Sequence, residues 1–134
     1  MSIVLFEASV GYYNLAKRMA DYSFVWWSTK FHLNAGDVVY MYVGKPVGKV
    51  LYLFRVVEDG TKPDNDSAYY IDPHDYYLDL SNPKKKLALV SKTPKQDTSL
   101  KTLNAIAPKL RVNWQRYLRG PDFQIVTDYL AQSF

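Results

Sequence analysis

Two hydrophobic patterns, one at helical spacing and one nearly continuous, predict two kinds of element in this chain. Apolar residues recur at helical spacing from Tyr12 to Tyr22, and charged residues occupy the other face of the same segment. The runs Val38–Val43 and Val50–Val57 are instead apolar at nearly every position and rich in β-branched and aromatic residues. Such runs are typical of strands that are covered on both faces. We therefore predict a helix over residues 12–22 that packs on a sheet containing these two strands.

Shorter signals predict the remaining elements. A Ser or Thr cap before Leu100 and a Pro at the start of the last apolar stretch predict helices at residues 99–107 and 121–132. Three short apolar segments are predicted as strands: Ile3–Phe6, Tyr76–Leu80 and Leu87–Val90. Together these elements predict an α+β fold, a small mixed β-barrel of five or six strands with helices packed against it. Residues 1–134 are predicted to form one domain.

The composition excludes several functional classes. The chain is 48% hydrophobic and 16% aromatic, so it is not a disordered sequence. It has no Cys, which excludes a disulfide scaffold, a zinc ribbon and a thiol nucleophile. No apolar run approaches the roughly 18 residues that span a bilayer, and the first residues do not form a signal peptide. We therefore expect a cytoplasmic protein with no membrane partner.

The net charge of +4 hides two blocks of opposite sign. Residues 58–82 contain seven acidic residues and only Lys62 as a base, whereas residues 84–119 contain ten bases and only Asp97 as an acid. A basic block is suited to the phosphates of nucleic acid, although a solvated surface is an equally simple interpretation. Aromatic residues among the bases, Trp114 and Tyr117, favour nucleic acid, DNA or RNA. The candidate phosphate-binding residues are Lys109, Arg111, Arg116 and Arg119.

The strongest local pattern is a Trp pair, a Gly36-Asp37 turn and the hairpin that follows, over residues 26–58. With an N-terminal strand and helix before it and an Arg119-Gly120-Pro121 helix start after it, this order resembles the EVE domain of the PUA-like superfamily. The resemblance implies a small β-barrel with helices packed against it. It also implies a non-catalytic domain that binds nucleic acid and reads a modified or flipped base in an aromatic pocket. No cofactor is expected.

The candidate pocket residues lie in and just after the Trp pair and in the first hairpin strand. If the segment is extended, adjacent Trp26 and Trp27 face opposite ways, so that only one of them lines a pocket. The full candidate set is Trp26, Trp27, Ser28, Thr29, Phe31, Asp37, Tyr40 and Tyr42. Each has a structural alternative: the rings can fill the core, and Asp37 can serve only as a turn residue.

Two other functions stay open at this stage. A small nuclease could use His74 and the neighbouring acids, but His32 is the only other histidine and a metal site normally needs three ligands. The ASCH group, some of whose members cut RNA, carries a Gly-x-Lys-x-x-Glu-x-Arg pattern, from which Gly48-Lys49-Val50-Leu51-Tyr52 departs at the glutamate. The other alternative is a pocket that binds a small molecule or a peptide.

Overall fold

Six strands form one mixed sheet in the computed structural model, which describes residues 1–60, 64–112 and 115–134. The strand order is β2-β5-β4-β3-β1-β6. The strands are β1 (Ile3–Ala8), β2 (Phe24–Ser28), β3 (Val38–Val43), β4 (Lys49–Gly60), β5 (Lys84–Ser91) and β6 (Gln115–Tyr117). Only β1 and β3 are parallel neighbours, and the other four pairings are antiparallel.

Four α-helices and one 3-10 helix accompany the sheet in the described part of the chain. They are α1 (Leu15–Asp21), the 3-10 helix Asp64–Tyr69, α2 (Pro73–Asp79), α3 (Leu100–Ile106) and α4 (Pro121–Ser133). The first three α-helices begin with side-chain caps, which satisfy backbone N–H groups that the helix leaves open. Asn14, Asp72 and Ser99 accept these hydrogen bonds. None of the described helices is long and apolar enough to cross a bilayer.

The sheet is apolar on both faces, and each face has its own core. Alternate residues of β3 supply them: Val39, Met41 and Val43 join one cluster, whereas Tyr40 and Tyr42 join the other. The first cluster, which we call the pocket-side core, includes residues of α1 and the Tyr69–Tyr76 segment. The second includes residues of α3 and α4. The sheet is therefore the middle layer between two sets of helices.

The predicted α+β class and the mixed six-stranded sheet are confirmed. The predicted helices at 12–22, 99–107 and 121–132 correspond to α1, α3 and α4 with shifted ends. No backbone pairing joins the edge strands β2 and β6 among the described residues, so closure into a barrel stays a prediction. The strand predicted at Tyr76–Leu80 is wrong, because Asp72 caps a helix that continues to Asp79.

A buried ion pair attaches the acidic segment to α1. The side chains of Arg18 and Asp66 are both fully buried, with 3.9 Å between Nη1 and Oδ1. The Arg18 guanidinium lies 4.1 Å from the ring centre of Tyr22, and its Nε donates to the Phe24 carbonyl at 3.0 Å. Asp66 also accepts the Tyr13 hydroxyl at 2.6 Å. These contacts fix the position of the chain that leads into Tyr69 and Tyr70.

Candidate functional site

A pocket of about 220 Å³ opens where β2 and β6 approach each other. Its lining residues come from six parts of the chain, which are brought together by the sheet, α2 and the turn before α1. They are Glu7, Ser9, Tyr12, Tyr13, Trp27, Ser28, Tyr70, Asp79 and Gln115. The volume is below the roughly 300–1,000 Å³ of sites for drug-sized ligands, so the pocket suits one small group.

Four aromatic rings line the pocket, those of Tyr12, Tyr13, Trp27 and Tyr70. Tyr13 packs edge-to-face against Trp27 at 5.6 Å and against Tyr70 at 5.1 Å between ring centres. Tyr12 makes a similar contact with Tyr70 at 5.4 Å. Edge-to-face pairs of this kind hold one another in place and favour a fixed arrangement of rings. The wall is therefore a preformed apolar surface for a flat ligand.

The buried carboxylate of Asp79 forms the polar end of the pocket. It accepts hydrogen bonds from Ser28 Oγ at 2.7 Å, from the Tyr70 hydroxyl at 2.8 Å and from Asn82 Nδ2 at 2.6 Å. The Lys84 ammonium donates to the Asp79 backbone carbonyl and, at 2.6 Å, to that of Asn82. A carboxylate held by this many donors is fixed in orientation, and the Ser28 hydroxyl, whose proton it binds, can accept from a ligand.

The side chain of Gln115 bridges the gap between the two edge strands. Its Nε2 donates to the Ser28 carbonyl at 2.7 Å, and its Oε1 accepts from Thr29 Oγ1 at 2.7 Å. Thr29 Oγ1 also accepts from the Phe31 backbone N–H at 3.0 Å, so its own proton goes to Gln115. These contacts fix the amide orientation, and the second N–H of Nε2 is the one donor that Gln115 has for a ligand.

The tyrosine hydroxyls of the pocket stay neutral at physiological pH. Burial, together with the Asp79 and Asp75 carboxylates, raises the pKa of Tyr12 to about 12. Burial also raises the pKa of Tyr13 and of Tyr70, whose hydroxyls donate to carboxylates. Conversely, burial lowers the pKa of the Lys84 ammonium. The rings therefore present uncharged faces, and their hydroxyls act as donors.

The extended backbone of β2 separates the two tryptophans, and Trp27 is the one that lines the pocket. Trp27 packs against the pocket-side core, whereas Trp26 lies over Gly60 and has the Lys86 ammonium 5.8 Å from its ring centre. A Cβ added to Gly60 would lie 2.5 Å from the Trp26 ring, which explains the small residue there. Trp26 is thus outside the pocket.

Ser28 lines the pocket, but the other five predicted pocket residues do not. Thr29 and Phe31 line a neighbouring groove. Asp37 accepts the backbone N–H groups of Ser2 and Asn34, as a turn residue does. Tyr40 and Tyr42 lie on the other face of the sheet, in the core with α3 and α4, because they alternate with the residues that face the pocket side.

The four predicted phosphate ligands have different surroundings. Arg111 donates to the Pro108 and Leu110 carbonyls, and Arg116 donates to the Arg111 carbonyl and lies over a phenylalanine ring. Lys109 faces Asp122 at 3.5 Å in an exposed ion pair. Arg119 is exposed and stacks on Tyr117, with 3.9 Å from the guanidinium carbon to the ring centre. Trp114 lies outside the described residues.

Sequence reasoning missed seven of the nine lining residues, namely Glu7, Ser9, Tyr12, Tyr13, Tyr70, Asp79 and Gln115. Tyr12 and Tyr70 belong to aromatic clusters that are visible in the sequence. Nothing in the sequence, however, brings these clusters to β2, because the contacts are made between distant elements. Gln115 carries no signal at all, since its strand has only three residues.

No group of three or more His, Cys, Asp or Glu side chains that could hold a metal occurs among the described residues. His74 lies in the first turn of α2 and is exposed, as is His32. Neither histidine lines the pocket. The nuclease hypothesis based on His74 gains no support from this geometry.

No family model matches the chain, and no curated protein matches it in sequence. It is similar in fold to ASCH from Zymomonas mobilis (TM-score 0.65, 12% identity, 95% of this chain and 94% of that chain). It is also similar to a hypothetical protein from Leishmania major (TM-score 0.61, 14% identity, 98% of this chain and 96% of that chain). A third neighbour is the Pho92 YTH domain, solved in complex with m6A (TM-score 0.56, 14% identity, 99% of this chain and 87% of that chain). The chain therefore shares the fold of these structures, and its resemblance to the EVE domain of the PUA-like superfamily stays a prediction.

Proposed function

We propose that this protein binds nucleic acid and holds one base, a modified base in particular, in the pocket formed by Trp27, Tyr12 and Tyr70. The observation that carries the proposal is the combination of aromatic walls with a polar end in a small pocket. A base presents a flat π-face and an edge of donors and acceptors, and this pocket offers a counterpart to each. The fold adds support, since the Pho92 YTH domain was solved with m6A.

The polar end offers complementary groups for a base edge. Gln115 supplies an N–H donor, and Ser28, whose proton is bound by Asp79, supplies an acceptor. Two adjacent groups of opposite kind match the edge of a base, where donors and acceptors stand side by side. Stacking on an aromatic side chain contributes about 1–3 kcal/mol per base and provides the main affinity.

Fluorescence titration with short single-stranded oligonucleotides tests the proposal, since Trp27 is a reporter in the pocket wall. Matched RNA and DNA with and without m6A are titrated at two salt concentrations. We expect quenching with saturable binding, and a log-log salt slope that rises by about 0.7 for each contacted phosphate. Tighter binding of the m6A oligonucleotide would support reading of the modification.

The contrary result is equally specific. Absence of saturable binding by any oligonucleotide would refute the proposal. Binding that Trp27→Ala leaves unchanged would also refute it, and because this variant lacks the reporter it is followed by the fluorescence anisotropy of a labelled oligonucleotide. Binding of a neutral nucleoside with no gain in affinity for the oligonucleotide would indicate a small-molecule site instead.

A further inference from the structure

A second cavity of about 470 Å³ lies beside the aromatic pocket, and we call it the side groove. It is lined by Lys30, Phe31, Asn82 and Pro83, together with Ser28, Thr29 and Gln115. Ser28 and Gln115 line both cavities, so the two share one wall. A ligand with two linked parts can therefore occupy both cavities, with its linkage passing over the Ser28–Gln115 contact.

Phe31 lines the side groove and belongs to a stack of planar groups that continues away from it. The rings of Phe31 and Tyr117 are 4.5 Å apart and nearly parallel, at 10°. The Arg119 guanidinium continues the stack on Tyr117 at 3.9 Å. Phe31 is half-buried, and its ring also packs edge-to-face against Phe6 at 6.1 Å, so the ring that lines the groove is held in place. Such a platform is suited to a further base.

Lys30 supplies positive charge at the groove itself, where it is exposed and makes no ion pair among the described residues. Arg119 is exposed on the far side of Tyr117, outside the groove lining. Asn82 is oriented by its hydrogen bond to Asp79, so the groove and the polar end of the pocket are fixed by one network. A cation beside an aromatic platform is the arrangement that binds a base and its phosphate together.

We propose that the side groove is a second nucleotide subsite, which holds the nucleotide next to the base in the pocket. Its base packs on the groove side of the Phe31 ring, whose other face is stacked on Tyr117, and the phosphate between the two nucleotides contacts Lys30. This inference rests on the proposed function, since it requires a base in the first pocket. It adds that the ligand is a single strand, because a flanking base that stacks on protein has left its own helix.

Titrations with a nucleoside and with a trinucleotide separate the two subsites. The probes are nucleosides, which carry no phosphate, the corresponding trinucleotides, and trinucleotides in which a flanking nucleotide is abasic. We expect the trinucleotide to bind about tenfold more tightly than the nucleoside, and an abasic flank to abolish most of that gain. If neither probe binds, the proposed function fails. If both bind equally, only the second subsite fails.

Two groove variants and one matched control complete the test. Lys30→Glu and Phe31→Leu should each weaken trinucleotide binding about tenfold and leave nucleoside binding unchanged. Lys101→Glu makes the same charge change on α3, at the other face of the sheet, and should leave trinucleotide binding unchanged. A Lys30→Glu variant that binds the trinucleotide like Lys101→Glu, or that loses affinity equally for both probes, would overturn the proposal. Lys30 is exposed, so its variant remains informative even where Phe31→Leu lowers stability.

Discussion

Replacement of Asp66 by Asn tests whether the buried pair with Arg18 holds the acidic segment on the domain. Both side chains are fully buried, 3.9 Å apart, so the substitution leaves an uncompensated guanidinium in the interior. Removal of one partner of a buried pair typically costs about 3–5 kcal/mol. The ring of Tyr22 at 4.1 Å and the Phe24 carbonyl still contact the cation, so we expect the lower end, about 3 kcal/mol.

The assay is denaturant unfolding followed by circular dichroism, together with thermal unfolding. A loss of about 3 kcal/mol corresponds to roughly 10 °C in Tm for a chain of this size. Asp59→Asn is the matched control, because Asp59 pairs with Lys85 but its side chain is 79% exposed. That exposed pair should contribute less than about 1 kcal/mol.

A double variant isolates the interaction itself. Arg18→Met with Asp66→Asn should be less destabilised than the two single effects added together, because the second substitution removes a cation that the first left unpaired. A free energy of unfolding for Asp66→Asn within about 0.5 kcal/mol of that for Asp59→Asn would refute the reasoning. It would show that α1 and the 3-10 helix are held by their aromatic contacts alone.

Three further predictions concern the pocket. Trp27→Ala should weaken oligonucleotide binding roughly 5- to 150-fold, the equivalent of one lost stack, and Trp26→Ala should not; equal losses in a titration would contradict this. Gln115→Ala should lower the free energy of unfolding by about 1–2 kcal/mol. It should also speed amide hydrogen exchange at Leu118, whose backbone N–H donates to the Ile3 carbonyl of β1. Unchanged exchange would show that Gln115 does not hold the β6 edge of the sheet. Tyr12, with its pKa raised from 10.0 to about 12, and Tyr70, also raised, retain protons in the folded state that the unfolded state loses. The stabilisation from these raised pKa values is complete below pH 10 and is lost as the pH rises above 10, so Tm should fall in that alkaline range. The fall should be smaller in the Tyr70→Phe variant, which lacks one of the two hydroxyls. A Tm that does not change with alkaline pH would count against this prediction.

Local signals predicted the helices well and one element badly. The Gly-Pro start that predicts α4 has a counterpart in Asp72-Pro73, where the Asp side chain caps α2 and Pro is at its first position. The short aromatic and apolar run Tyr76–Leu80 led to a predicted strand, although the same residues place Tyr76 and Asp79 on one face of a helix. Cap chemistry was a better guide here than a five-residue apolar run.

The site was harder to predict because β3 is apolar on both faces. The alternation of side chains along a strand places Tyr40 and Tyr42 on the same face of β3. It does not indicate which face of a strand that is covered on both sides lies next to a pocket. The same rule succeeded for Trp26 and Trp27, which it placed on opposite faces of β2. The pocket itself depends on long-range approaches between elements, and such contacts leave no period in the sequence.

The structure also changes what the two charge blocks mean. Asp59 and Glu58 face Lys85 and Lys86 across β4 and β5, so part of the basic block neutralises part of the acidic one. Asp79, another acid of residues 58–82, accepts a hydrogen bond from the buried Tyr70 hydroxyl.

Among the described residues discussed above, few cations are therefore placed to contact a strand bound in the proposed way. Arg111 and Arg116 bind backbone carbonyls, whereas Lys30 lines the side groove and Arg119 is exposed on the far side of Tyr117. Two phosphate contacts imply a log-log salt slope of only about 1.4 for a single strand, because each contact adds about 0.7. The run of ten bases would suggest a far steeper slope. A shallow slope with strong dependence on Trp27 would mean that stacking, and not charge, supplies most of the affinity.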